Sequence, residues 1–457
     1  MRVRLSSGTF LAVVVVACCG WLAFYARGAT ARDVDKVMER EVGRGFSGVV
    51  LLKRRGEVIF EHAYGFANAE QHVPNTLDTK FRIGSITKTF TAIVIMQLEG
   101  EGKLALADCI CSYIEECPPG WADIELHHLL SHTSGIFNYT KVDDTAAMLA
   151  APQVRPQVIA RILHEPLAFQ PGEKFEYSNS NFWLLGRVIE KVTGQSYEAA
   201  LTRRIFEPLG LHNTGVAHDW ARTPRAATGY WISREGKLEA APLVDGSWSF
   251  ADGGIYSTVG DLEKLSDALD RETLLPRSTL ERMWTPVKEA YGYGWSTPKI
   301  SQFTFNRRVV SHGGALPGFL AQFQRVVDDE LTLIVLANGA RAKPPRVAAE
   351  LGSIVLGEKF VPSYERESVK LTDEVLQKYA GEYDVDGQIW TLSVREGRLL
   401  ARSDRGGPEI ELVAESDETF FMRDDEGALT AVKNAKGEVT GMMLTGRDTP
   451  VLARKVH

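Results

Sequence analysis

A stretch of ten uncharged residues, Thr89 to Leu98, follows Ser85-Ile86-Thr87-Lys88 and ends just before Gly100 and Gly102. A helix that is apolar on nearly every side is a buried helix, so the rest of the chain must build a core around this segment. Residues at positions i and i+3 share a helix face, which brings the Lys88 amine to the Ser85 hydroxyl. The pattern therefore predicts a serine and a lysine together at the floor of a site.

This pairing can make a serine nucleophilic without a histidine. Serine is a weak nucleophile until a neighbouring base accepts its proton, and burial can lower the pKa of a lysine toward neutrality. The positive end of the helix dipole also favours the alkoxide. A second Ser-x-x-Lys match, Ser296 to Lys299, contains Pro298, which disrupts the helix that would align its two side chains. We therefore predict Ser85 as the nucleophile and Lys88 as its partner.

Two later segments can complete such a site. Tyr177-Ser178-Asn179 follows the turn-forming Pro171-Gly172-Glu173 and offers a phenol and an amide. His312-Gly313-Gly314 places a hydrogen-bonding side chain before two residues without side chains, so that a substrate could lie flat against the strand. Each segment alone is typical of a turn. Their occurrence in this order after Ser85 and Lys88 favours one shared site.

The chain resembles the serine β-lactamase and penicillin-binding-protein superfamily, and within it the class C β-lactamase-like branch. That branch also holds DD-peptidases, D-amino-acid peptidases and esterases. The resemblance spans roughly residues 36 to 357. Beyond the three motifs, it rests on four segments that look like parts of the family: Phe81-Arg82-Ile83-Gly84, His128 to Gly135, Ala251 to Thr258, and Tyr291 to Trp295.

The resemblance implies an α/β fold, with an antiparallel sheet flanked by helices and a helical lobe beside it. It also implies acyl transfer without a metal or other cofactor. Ser85 would attack a carbonyl, and Lys88 and Tyr177 would share the proton transfers, with the choice of base left open. The substrate would contact Asn179, His312, Gly313 and Gly314, and the backbone amides of Ser85 and Ala315 would hold the oxyanion.

His312 departs from the lysine that many superfamily members carry in a Lys-Thr-Gly triplet. Histidine here is common among the esterase and peptidase relatives. With a reference pKa near 6.5, its ring is mostly neutral at pH 7 and would gain charge in acid. We therefore expect a preference for neutral esters or amides over β-lactams that carry a carboxylate, and a shift toward carboxylates as the pH falls.

Two other classes of protein compete with this interpretation. An α/β-hydrolase esterase would show Gly-x-Ser-x-Gly, but Ile83 and Thr87 occupy the glycine positions around Ser85. A non-hydrolytic penicillin-binding or sensor protein that keeps the fold stays open as an alternative. A formal net charge of −7 without a basic patch argues against nucleic acid as a partner. The expected partner is a small-molecule or peptide substrate, and the oligomeric state is open.

The N-terminal segment, residues 1–31, has the order of a secretory signal. Arg2 and Arg4 precede an apolar run from Phe10 to Tyr25 and the small residues Gly28 to Ala31. An uncleaved membrane anchor and a lipoprotein signal cleaved before Cys18 are the alternatives. All three predict an exported protein, in the periplasm or on the outer face of the membrane.

Three further cysteines, Cys109, Cys111 and Cys117, lie in one short segment. In an exported chain an odd number allows at most one bridge and leaves one free thiol. Zinc, with help from the nearby His127, His128 and His132, is less favoured because the segment lacks a regular Cys-x2-Cys pair.

The turns between the predicted strands and helices indicate two domains. Residues 32–362 would form the hydrolase domain, with one hairpin from Val49–Lys53 and Glu57–Glu61 and another from Phe319–Val326 and Leu331–Ala337. From Ile389 onward, short β runs alternate with turns, which predicts an antiparallel meander or small barrel. Residues 363–457 would form this domain, and Tyr379 to Tyr383 resembles the opening of the lipocalin-like β domain of some family members.

Overall fold

The computed structural model describes residues 31–141, 155–233, 237–245, 248–298, 304–339, 341–385, 387–404, 406, 409–423, 425–445 and 451–456. The predicted leader lies outside the described residues, apart from its last position. The chain divides into two compact units between Lys359 and Phe360. Among the described helices, none combines the length and the apolar character needed to cross a membrane.

The first unit is built on an antiparallel sheet of five strands. The strand Gly48–Arg54 lies inside the sheet and pairs with strands on both sides, and its run Gly-Val-Val-Leu-Leu is buried. Both predicted hairpins are present. From one edge to the other, the strands are Val309–Leu316, Phe319–Val326, Leu331–Ala337, Gly48–Arg54 and Glu57–Tyr64.

Each face of this sheet packs on helices, which explains why the inner strand Gly48–Arg54 is apolar on both sides. Val50 and Leu52 point into a core shared with the helix at 31–43 and with Pro344–Leu356. Val49 and Leu51 point into a larger core that contains the predicted buried helix, Thr87–Gly100. The expected α/β architecture is confirmed.

In sequence, the helical lobe lies between the sheet strands Glu57–Tyr64 and Val309–Leu316. It begins with the buried helix and contains most of the other helices of this unit. Those helices are Leu126–Leu130, Arg155–His164, Asn179–Thr193, Tyr197–Leu201, Glu207–Leu209 and Arg277–Met283, whereas Val259–Asp270 packs on the sheet strands Gly48–Arg54 and Leu331–Ala337. Short strands are Phe66–Asn68, Val73–Pro74, Phe81–Arg82, Gly215–Val216, Tyr230–Ile232, Leu238–Ala240 and Ile255–Ser257.

The second unit is a closed antiparallel barrel of eight strands preceded by the short helix Asp373–Gln377. The barrel closes because its first strand pairs with its last, Tyr383 with Lys455. It begins at Gly381, earlier than the β runs from Ile389 that predicted it. Its strands are Gly381–Val385, Gln388–Arg395, Arg398–Ser403, Ile410–Ala414, Thr419–Met422, Asp425–Lys433, Val439–Thr445 and Val451–Lys455.

The cysteine segment forms one disulfide. Cys111 and Cys117 are bridged, and Cys109 carries a free thiol. Two of the three sulfurs are therefore used in a covalent bond instead of a zinc site. Within the described part of the chain, histidine, cysteine, aspartate and glutamate side chains form no group that could hold a metal ion.

Candidate active site

The Ser85 and Lys88 side chains meet at the start of the buried helix. Ser85 lies in a single tight turn, Gly84–Ile86, and is partly exposed, whereas Lys88 is in the first turn of the helix that follows and is fully buried. Lys88 Nζ lies 3.0 Å from Ser85 Oγ. It also donates to Asn179 Oδ1 at 2.8 Å and to the Asp252 carbonyl at 2.7 Å.

These contacts suit a neutral amine. The Asn179 oxygen and the Asp252 carbonyl can only accept, so they take the two N–H groups of an uncharged lysine. The remaining lone pair then faces the Ser85 hydroxyl. Burial lowers the pKa of Lys88 to about 7, against the opposing attraction of the Asp252 carboxylate. Lys88 can therefore accept the Ser85 proton near neutral pH.

The Asp252 carboxyl supplies the negative charge that acts on Lys88. It is buried, and Tyr139 donates its hydroxyl hydrogen to Asp252 Oδ2 at 3.0 Å. Burial raises the pKa of Asp252, while Lys88 and Tyr139 oppose that rise. The sequence segment Ala251 to Thr258 was recognised, but no local pattern assigns a role to this aspartate, because its effect depends on a lysine far away in the chain.

Tyr177 also reaches the serine. Its hydroxyl shares a hydrogen bond with the Ser85 side chain, and its ring centre lies 5.0 Å from Lys88 Nζ. Burial raises the pKa of Tyr177 well above its ordinary value, and the bond to Ser85 only partly offsets this. The phenol therefore stays protonated at the pH at which Lys88 loses its charge.

Asn179 is the first residue of the helix Asn179–Thr193. Its side-chain NH₂ donates to Thr140 Oγ1 at 3.0 Å, and its backbone N–H donates to Asn138 Oδ1 at 3.2 Å. These bonds fix the orientation of the amide so that its oxygen faces Lys88. Asn179 thus contacts the lysine, a role that the sequence did not predict.

His312 is buried in the strand Val309–Leu316, and both of its ring nitrogens are engaged. Nδ1 lies 2.7 Å from the Gly313 carbonyl, which can only accept, so this nitrogen carries the proton. Nε2 then accepts from the Tyr291 hydroxyl at 2.9 Å. Burial and the nearby Lys88 lower the pKa of His312 to about 3. The expectation that this ring gains charge in mild acid is therefore wrong.

The glycines bring the strand against the turn that carries Ser85. A Cβ on Gly314 would lie 2.0 Å from the Ile83 carbonyl oxygen, and a Cβ on Gly84 would lie 2.8 Å from the Ala315 nitrogen. Gly84 also has a φ of +51°, which glycine adopts without strain. This close approach places the backbone nitrogens of Ser85 and Ala315 on adjoining segments, as a two-donor oxyanion site requires.

The structure thus brings every residue that the sequence nominated into one region, at the junction of the sheet, the buried helix and the helical lobe. Asp252, Tyr139 and Tyr291 join them without having been predicted. Of the second Ser-x-x-Lys match, Lys299 lies outside the described residues.

Comparison with known proteins places the chain among relatives of this architecture. The family model described as Beta-lactamase matches residues 31–355. Penicillin-binding protein 4* of Bacillus subtilis (strain 168) is 27% identical and aligns with 83% of this chain and 88% of its own length. A D-aminopeptidase of Gluconobacter oxydans (strain 621H) is 29% identical, with 70% of this chain covering 60% of that protein.

A solved structure extends the likeness to nearly the whole chain. The octameric penicillin-binding protein homologue from Pyrococcus abyssi is 25% identical, covers 93% of this chain and 98% of its own, and has a TM-score of 0.69. The matched family model covers most of the first unit and includes Ser85, Lys88, Tyr177 and His312. The chain belongs to the serine β-lactamase and penicillin-binding-protein family.

Proposed function

We propose that this protein is a serine hydrolase that cleaves an ester or amide carbonyl through an acyl-enzyme. One observation carries the proposal: a buried lysine with a lowered pKa lies 3.0 Å from the hydroxyl of a partly exposed serine. Activation of a nucleophile by an adjacent base is the requirement for this chemistry.

Lys88 is the base for acylation in this proposal. Its pKa is lowered to about 7 and that of Tyr177 is raised, so at neutral pH the amine has a free lone pair and the phenol keeps its proton. Ser85 Oγ passes its proton to Lys88 as it attacks the carbonyl carbon. Tyr177, hydrogen-bonded to Ser85, then donates a proton to the leaving amine or alcohol. The resulting phenolate regains its proton from Lys88.

The remaining residues act on the oxyanion and the substrate. The backbone N–H groups of Ser85 and Ala315 stabilise the tetrahedral oxyanion, and the loss of one such donor typically costs about 3 kcal/mol. Asn179, Gly313 and Gly314 line the part of the site that receives the substrate. His312 holds its own strand and Tyr291 in place. Water then attacks the acyl-enzyme and releases the acid.

The substrate class follows from the absence of charge on His312. A neutral ring whose nitrogens are both bonded inside the protein adds no cation for a substrate carboxylate. This favours neutral esters, D-amino-acid amides or D-peptides and at most weak β-lactamase activity. The likeness to a D-aminopeptidase supports the same substrates. It also supports placement in the class C-like branch with the esterases and peptidases.

Export is part of the proposal. The order of charged, apolar and small residues before residue 32 is that of a secretory signal or anchor. The Cys111–Cys117 disulfide supports it independently, because such bonds persist mainly in oxidising compartments.

The test is covalent labelling by a fluorophosphonate and by a fluorescent penicillin. We expect the wild-type protein to be labelled and Ser85→Ala to lose both labelling and ester turnover. Ser296→Ala, in the other Ser-x-x-Lys match, is the control and should keep both. Turnover that persists in Ser85→Ala would remove the assignment.

The rate of label loss separates the hydrolase from a sensor. Penicillin-binding protein 4* is named for binding penicillin, and a protein that only binds would hold its acyl group. We expect the label to leave with repeated turnover of a small ester. A stable label without turnover would favour the sensor.

A further inference from the structure

His132 lies at a left-handed turn of the backbone. It follows the short helix Leu126–Leu130 with a φ of +55°, a conformation that glycine adopts freely and that asparagine, aspartate and histidine adopt more often than other residues. Its side chain is fully buried. Residues held in such conformations cost free energy and often mark functional sites. The surroundings of the ring show what this conformation achieves.

His132 holds the chain on both sides of Tyr177. The carbonyl of His132 accepts from the Glu176 backbone N–H at 3.0 Å. Its ring Nδ1 accepts from the Ser178 backbone N–H at 3.2 Å. The residues before and after Tyr177 are therefore both bonded to this one histidine.

The ring also packs directly on the tyrosine. The centres of the His132 and Tyr177 rings are 4.2 Å apart, with 37° between their planes. Asn181 Nδ2 lies 3.2 Å from His132 Nδ1, while Asn181 Oδ1 accepts from the Ser134 hydroxyl at 2.6 Å. Two N–H donors thus point at Nδ1, which makes the ring a neutral acceptor at that nitrogen.

One ring nitrogen of His132 has no partner among the described residues. With Nδ1 accepting, that buried nitrogen is Nε2, and it carries the proton. A buried donor without a partner costs free energy. Burial, Lys88 and His312 all lower the pKa of His132, so the ring stays neutral and the acceptor is retained.

We propose that His132 is a positioning residue that holds the Tyr177 hydroxyl at the Ser85–Lys88 pair. This inference rests on the proposed function, because it assigns Tyr177 a part in proton transfer. His132 touches neither the substrate nor the reacting atoms, so its effect on the reaction passes through Tyr177.

Two variants distinguish the effect of the aromatic ring of His132 from the effect of its Nδ1 acceptor. His132→Phe keeps an aromatic ring against Tyr177 but removes Nδ1. His132→Asn keeps an acceptor and tolerates positive φ, since asparagine adopts that conformation more readily than most residues. Misplacement by 1 Å can cost about 10²-fold in rate. We expect His132→Phe to lower kcat by about tenfold to a hundredfold with KM little changed, and His132→Asn to recover most of that loss.

The deciding experiment combines His132→Phe with Tyr177→Phe in the full chain. Ester turnover is normalised to fluorophosphonate-labelled enzyme, so that unfolded protein does not count. If His132 acts through Tyr177, the His132→Phe loss in kcat disappears in the Tyr177→Phe background. An equal loss in both backgrounds, or an Asn variant as slow as the Phe variant, would overturn the proposal.

His128→Phe is the matched control. His128 Nδ1 also accepts a backbone N–H, that of Glu125 at 3.1 Å, on the same short helix. This variant should change the melting temperature and leave kcat unchanged.

The single Tyr177→Phe variant reports separately on the proposed function. An unchanged kcat in that variant would reject the proton relay and, with it, the need to position Tyr177.

Discussion

At the scale of single residues, the site depends on the charge of one lysine. Lys88 is fully buried and bonded to Ser85, Asn179 and the Asp252 carbonyl, none of which carries a full charge at the contacting atom. Desolvation favours its neutral form, and the Asp252 carboxylate favours the charged form. The balance of the two sets the pH at which Ser85 can be activated.

This balance predicts the pH dependence of acylation. The active form has a neutral Lys88, so kcat/KM should rise as the pH rises through the lowered pKa of Lys88. Asp252→Asn removes the charge that raises the Lys88 pKa. The acid limb of the pH profile, in which kcat/KM rises with pH, should therefore move to lower pH. Lys88→Ala should lower acylation by about 10²–10⁴-fold, the usual range for general-base catalysis. The measurement is kcat/KM for a neutral ester across the pH range.

Asp261→Asn is the control for the charge effect. Asp261 is also buried, but it accepts from Thr214 and Asn213 and does not perturb the pKa of Lys88. Its replacement should lower stability without moving the acid limb. A limb that stays in place in Asp252→Asn would contradict the assigned role of the carboxylate.

At the scale of elements, the proposed oxyanion site depends on one strand packing on one turn. Gly314 lets the strand Val309–Leu316 approach the Ile83 carbonyl, and Gly84 lets the Ser85 turn approach the Ala315 nitrogen. Any side chain at either position would separate the two segments. Neighbouring Gly313 has more room, since its nearest contact would be the flexible Gln322 side chain at 3.4 Å.

The two neighbouring glycines therefore make a matched pair of variants. Gly314→Ala should lower the free energy of unfolding by about 1–3 kcal/mol, as overpacking typically does, and should slow acylation. Gly313→Ala should cost clearly less stability. Thermal or denaturant unfolding of both variants, together with fluorophosphonate labelling rates, measures the difference. Equal destabilisation by the two would show that the strand and turn are not in close contact.

At the scale of the whole molecule, the chain consists of two compact units that each have their own core. The sheet and helical lobe contain all the proposed site residues, and every hydrogen bond described for that site lies within this first unit. The barrel closes on itself through the pairing of its first and last strands. Neither core needs a strand from the other unit.

We predict that removal of residues 363–457 leaves a folded catalytic unit. The truncated protein should unfold in one cooperative transition and should still be labelled at Ser85 by a fluorophosphonate. Calorimetry and labelling check the two statements. Loss of the unfolding transition would show that the barrel is required for the first unit to fold.

The sequence alone determined the parts of this protein that depend on residues near one another in the chain. The Ser85–Lys88 spacing before an uncharged run, the two hairpins and the run of β segments near the C-terminus follow from local periodicity and turn chemistry. Most of the proposed site followed from family motifs, which stay together as short segments.

Only the tertiary structure decided the charges and the contacts between distant segments. Lys88 meets the Asp252 carbonyl across 164 positions of sequence, and burial there sets its pKa. The neutral state of His312 and the two bonds of His132 around Tyr177 likewise depend on desolvation and on partners from other elements. Desolvation belongs to the folded environment, so a residue's type and position in the chain cannot reveal it.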